Sequence, residues 1–197
     1  DWIARAGDSS APAELLVTSA ETEVSTSAEN KRESAGTLQT KYVAIERLLA
    51  AGLFDKAELI ALHLVDEGRS RDADDYRYLG LVWLKGHQFS KAVKALHVAL
   101  RYGAAPVDVL PSLAIGWHQI GKLERAGGLY RAAIKHGCDT SEMWTHYGSL
   151  LREMGLPGEA LESHRRALSL QPVSPGARLN LASLLLSLGD YAEGWRE

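Results

Sequence analysis

The feature that most constrains this chain is a spacing. Small residues recur every 34 positions along two independent rows, Ala92, Ala126, Ala160 and Gly194 in one and Gly80, Ala114, Gly148 and Ala182 in the other. Large residues keep the same step: Leu79, Leu113, Tyr147 and Leu181, then Trp83, Trp117, Leu151 and Leu185. A further small row, Ala99, Ala133 and Ala167, is followed each time by Leu100, Ile134 or Leu168. From about residue 38 the apolar residues fall at helical spacing, so each period reads as a pair of helices. The small residues stand where two helices must approach closely, and the large ones where successive pairs stack. Gly121, Gly155 and Gly189 fall at the turn, where the end of the first helix needs a residue at ease in the left-handed region.

The most regular unit runs from Ser141 to Leu170 and is closed by Gln171-Pro172. Counted from Ser141, it carries Trp144 at position 4, Tyr147 and Gly148 at 7 and 8, Leu151 at 11, Ala160 at 20, Ala167 at 27 and Pro172 at 32. This pattern resembles the tetratricopeptide repeat (TPR) family. The resemblance covers residues 38–197 and implies an all-α fold, a right-handed α-solenoid of helix-turn-helix units. In that family an inner groove, lined by the first helix of each pair, holds an extended peptide or a partner's helix. The repeats are expected at about 38–72, 73–106, 107–140 and 141–174, with a truncated unit at 175–197.

The first unit departs from the pattern, because Ala57 lies 35 residues before Ala92 and Ile45 takes the small residue's place. A one-residue insertion is expected near Gly68-Arg69-Ser70-Arg71, and an atypical end unit suits a capping role. The last unit stops soon after its second helix begins. Leu181, Leu184, Leu185 and Leu188 are therefore expected to lack a partner helix, at ~1.5 to 3 kcal/mol for each exposed side chain. Either the natural chain continues past Glu197 or another molecule covers that face, self-association through the last helix included.

Residues 1–37 hold ten Ser or Thr, seven Asp or Glu and only three Lys or Arg. Such an acidic, Ser/Thr-rich leader offers little apolar surface and is expected to be mostly disordered. The net charge of -3 and the absence of long basic runs argue against nucleic acid or a polybasic membrane surface as partner. Cys138 stands alone, so no internal disulfide forms. With no secretion signal and no apolar run of membrane-spanning length, a cytoplasmic location is the expectation.

On the geometry the resemblance implies, positions 2, 5, 6, 9, 12 and 13 of each first helix face the groove. The candidate partner-binding residues are Arg77, Tyr78, Leu81 and Lys85 in the second unit and His118 and Gln119 in the third. The fourth supplies His146, Ser149, Arg152 and Glu153, and the fifth Asn180 and Ser183. Chaperone-binding TPR domains clamp a terminal carboxylate with a compact Lys, Arg and Asn set, for which Arg77, Lys85 and Arg152 are too scattered. O-GlcNAc-transferase-like arrays run an Asn ladder at position 6, which only Asn180 matches, against Tyr78, Ser112 and His146. The run Leu188 to Glu197 resembles the unit that precedes a glycosyltransferase-like domain in bacterial TPR proteins. Its plainer reading is a variant capping hairpin with Trp195 as plug.

Neither His118 with His146 nor His136 with Cys138 supplies the three or four ligands of a zinc site. His164 is expected as a packed core histidine, Trp83 and Trp117 as core, and Cys138 as a structural thiol. No nucleophile elbow, P-loop or dinucleotide fingerprint is present. No cofactor is implied. The expected function is therefore a non-catalytic protein-interaction module, a scaffold or adaptor for a protein or peptide. The alternatives are the substrate-recognition part of a larger glycosyltransferase-like enzyme and a secretion-chaperone-like TPR protein.

Overall fold

In a computed structural model, residues 39–66 and 72–196 are described. The expected leader and the expected insertion at 68–71 lie outside the described residues. The chain divides into two units, residues 1–44 and 45–197. Of the first unit only 39–44 are described, and they are helical as the beginning of α1 (residues 39–50). The second unit continues with α2 (Phe54–Asp66), α3 (Ala73–Lys85), α4 (Phe89–Arg101), α5 (Pro106–Gln119) and α6 (Leu123–Lys135). It ends with α7 (Ser141–Glu153), α8 (Pro157–Leu170), α9 (Pro175–Ser187) and the short α10 (Tyr191–Gly194).

Local chemistry fixes where these helices begin. Asp72, Thr140 and Ser174 cap α3, α7 and α9 by accepting from the backbone N–H of Asp74, Met143 and Ala177. Pro106, Pro157 and Pro175 open α5, α8 and α9, where a missing N–H costs nothing.

The turns that end the first helices share one geometry. Gly121, Gly155 and Gly189 adopt φ of 82°, 75° and 85°, and the next N–H reaches back into the last helical turn, as in Lys122 N–H to Trp117 O at 3.0 Å. Gly52 does the same at φ 71°. In the second repeat the equivalent residue is His87, at φ 58°, with Gln88 N–H donating to Trp83 O at 2.7 Å. Among the described residues His87 is the one non-glycine with positive φ.

From α2 to α10 each helix packs against its sequence neighbour, and the odd-numbered helices α3, α5, α7 and α9 also touch one another in series. They form one continuous row of the solenoid, which is why side chains from several repeats can share a surface. The small rows do what the spacing implied, because Ala92, Ala126, Ala160, Ala99, Ala133 and Ala167 are all fully buried. Opposite each close approach stands one large side chain at position 24 of the repeat: Leu96, Tyr130 and His164. A methyl group on Gly80 would meet the Leu96 side chain at 2.6 Å, and one on Gly148 the His164 ring at 2.6 Å.

Two expectations for the carboxyl-terminal end are corrected. Leu181, Leu184 and Leu185 are buried, and Leu184 belongs to the core that holds Leu150, Leu151 and Ala160. The face of α9 that carries them is turned to α7 and α8, so α10 is not their sole cover. Of the four leucines expected to be bare, only Leu188 is exposed, at 50%. Trp195 plugs nothing: it is 79% exposed, and Gly194, not the indole, meets Leu186.

Candidate functional site

A cleft of about 360 Å³ opens on the odd-numbered row. Leu81, Leu84 and Lys85 of α3 line it with Ser112, Ile115 and Gln119 of α5 and Glu142 and His146 of α7. The turn after α3 adds His87, and the start of α4 adds Phe89. Leu81, Leu84, Phe89 and Ile115 give it an apolar floor, and the remaining side chains a polar border. Positions 9, 12 and 13 of α3, 6, 9 and 13 of α5 and 2 and 6 of α7 contribute. These recur on one face because the helical period returns them there.

Four of the twelve expected residues, Leu81, Lys85, Gln119 and His146, come together in this cleft. Arg77 does not. Its guanidinium is held by Asp74 at 2.8 Å and lies over the Tyr78 ring at 4.4 Å. Tyr78 is buried, and its hydroxyl donates to Glu46 at 2.8 Å, so it ties two first helices together. His118 is buried too, its Nε2 3.0 Å from Glu153. Both side chains turn inward because an acid on the adjacent repeat offers a buried polar atom the partner it requires.

Ser149 and Asn180 form a second link, Nδ2 donating to Oγ at 3.3 Å across α7 and α9. Arg152 and Ser183 are exposed beside it. Nine of the twelve candidates thus separate into a cleft set and a set that stitches repeats together, and Arg77, Arg152 and Ser183 belong to neither. His87, Phe89, Ser112, Ile115, Leu84 and Glu142 complete the cleft outside the expected twelve. The signal for His87 was present, since it interrupts the row of turn glycines.

Electrostatics distinguish the two walls. On α7, His146 stands 4.0 Å from Glu142. Burial holds its pKa below the usual histidine value; Glu142 pulls it up, while Lys85 and His118 push it down. On the α3 side Lys85 has no acidic partner among the described residues, and His87 makes only an edge contact with Phe89 at 5.7 Å. Cys138 is buried, and burial raises its thiol pKa, which removes it from nucleophilic roles. No group of three or more His, Cys, Asp or Glu among the described residues could hold a metal ion. No described helix is long and apolar enough to cross a membrane. The arrangement can bury an apolar side chain and hydrogen-bond a backbone.

Comparison with known proteins agrees with this architecture. The family model for the tetratricopeptide repeat matches residues 141–174. Human protein O-mannosyl-transferase TMTC1 is 32% identical over 147 residues, which are 72% of this chain and 17% of that protein. The chain spans only 16–17% of the length of the curated relatives it matches. Among solved structures, the thermophilic TPR protein TTC0263 of Thermus thermophilus superposes with a TM-score of 0.69 at 20% identity, over 79% of this chain and 85% of that one. YrrB, a TPR protein with an unusual peptide-binding site, superposes with a TM-score of 0.58 at 18% identity, over 78% and 79% of the two chains. The chain thus carries a tetratricopeptide repeat at 141–174 and shares the fold of solved tetratricopeptide-repeat proteins.

Proposed function

We propose that the chain is a protein-interaction module that holds a peptide or helix of a partner along its odd-numbered helices, in a scaffold or adaptor role. The observation that carries this reading is the cleft over α3, α5 and α7, where solvent reaches an apolar floor beside unengaged polar groups. Lys85, Gln119 and His146 are the expected residues that we assign to ligand contact, with Leu81 beneath it. Ser149, Asn180, Arg152 and Ser183 extend the same row toward α9. The likeness to YrrB, whose peptide-binding site belongs to the same fold class, supports the reading. A buried free thiol suits a reducing, cytoplasmic setting.

Display selection of random peptides against the full chain tests this. Enriched peptides should lose binding to Leu81→Gln and His146→Ala variants whose circular dichroism is unchanged. Enrichment of peptides that bind both variants as well as the parent would refute the assignment.

A second reading is favoured by the 147-residue match to TMTC1: the array as the substrate-selecting part of a larger transferase. It requires a transferase domain elsewhere in the natural polypeptide. A mass near 21.4 kDa for the endogenous protein would remove it.

A further inference from the structure

The cleft is polarised, and its polarity names the chemistry of its ligand. On the α3 wall Lys85 is exposed and without an acidic partner among the described residues, and His87 beside it engages only the Phe89 ring. The single acid at the cleft, Glu142, stands on the opposite wall with His146 as its neighbour. The floor between the walls is Leu81, Leu84, Phe89 and Ile115. A ligand that fills this space therefore meets apolar surface below and unneutralised N–H donors on one side only.

His87 supplies an independent reason to look there. Its backbone occupies the left-handed region at φ 58°, where the equivalent residues are Gly52, Gly121, Gly155 and Gly189. A side chain in that conformation carries a steric cost that glycine would not. The turn itself closes in the same way in all five places, so the imidazole does nothing for the turn. What it adds is a donor at the lip of the cleft.

The geometry points to a peptide in which an apolar side chain is flanked by a carboxylate, the apolar group on the floor and the carboxylate between Lys85 and His87. The assignment rests on the peptide-binding reading above and gives it a ligand class and a direction. Gln119 and Ser112 on α5 stand between the walls, where they can meet the peptide's amide groups. The charged and titratable groups facing His146 are Lys85 from α3, His118 from α5 and Glu142 on its own helix. A carboxylate near Lys85 offsets part of the repulsion that Lys85 exerts on His146, whose pKa lies below the ordinary value of about 6.5, so binding should tighten as pH falls below about 6.5.

The probes are fluorescein-labelled nonapeptides with a central Phe or Leu flanked by Glu, Gln or Lys, each made with a free and with an amidated carboxyl end. Binding to the full chain is read by anisotropy at low salt. The Glu series should bind about two- to fivefold more tightly than the Gln series, the scale of one exposed ion pair. Lys85→Gln and His87→Asn should each erase most of the difference between the Glu and Gln series; Asn tolerates the left-handed turn. An advantage confined to free carboxyl ends would place the carboxylate at a chain terminus, and one kept after amidation would place it on a side chain. Both support the assignment. Equal binding of the Glu and Gln series, or preference for the Lys series, overturns it and leaves the peptide-binding reading intact. If no series binds, the assignment falls, and if the display selection also enriches no peptide, the peptide-binding reading falls with it.

Discussion

Substituting Gly148 with Ala puts the close approach of α7 and α8 to a direct test. The added methyl would stand 2.6, 2.8 and 2.9 Å from Cε1, Nδ1 and Nε2 of His164, well inside ordinary contact distance. All three atoms belong to one rigid ring that is 1% exposed, so no single torsion relieves the contact. Overpacking of this kind costs about 1 to 3 kcal/mol. Replacing a mid-helix glycine returns about 0.5 to 1 kcal/mol through lower unfolded-chain entropy. The expected net is a loss of up to about 2.5 kcal/mol, about 1 kcal/mol at mid-range.

Gly128→Ala is the matched control, because its methyl in α6 would meet nothing within 4 Å. It should gain about 0.5 to 1 kcal/mol, so the two substitutions differ in sign. Urea unfolding followed by far-ultraviolet circular dichroism measures both. In a His164→Ala background, Gly148→Ala should cost much less than it does in the parent. Equal stabilisation by the two alanines, or additivity in the double variant, would show that this approach does not organise the hairpin.

Three further outcomes follow from single residues. Burial, and then Arg152, hold the His164 pKa down at about 4. The unfolded chain then binds the extra proton first, so stability should fall by ~2 to 3 kcal/mol as pH drops from about 6.5 to about 4. His164→Phe should remove that slope, and an unchanged acid titration would refute the cause. His87→Gly should raise the unfolding free energy in urea titrations slightly, by at most about 1 kcal/mol, and His87→Val should lower it; the reverse order would contradict the turn geometry. Cys138 should react with a thiol reagent only as fast as the array opens, and rapid labelling of the native protein at pH ~8 would contradict its burial.

The architecture was legible in the sequence because hairpin packing repeats. Ala126 and Ala160 face equivalent neighbours, so one steric demand was written several times. The site was less legible because it is written once. Tyr78 and His118 sit at groove positions by count, yet they are drawn inward by Glu46 and Glu153 of adjacent repeats, which no periodicity within a repeat can reveal. Leu181, Leu184 and Leu185 find cover on α7 and α8, so their burial does not rest on α10 alone. His87 was recoverable from the interrupted glycine row, but only once the turn was known to need a positive φ at every repeat.

The cleft takes its walls from three different repeats, α3, α5 and α7, and its width is consequently not a property of any hairpin. It is set by two joints, α3 on α5 and α5 on α7, in the manner of a caliper whose jaws share one hinge line. A substitution that thickens either joint moves Lys85 and Glu142 apart without touching them. A bound peptide, conversely, braces both joints at once, so occupancy of the cleft and stiffness of the central array become the same measurement.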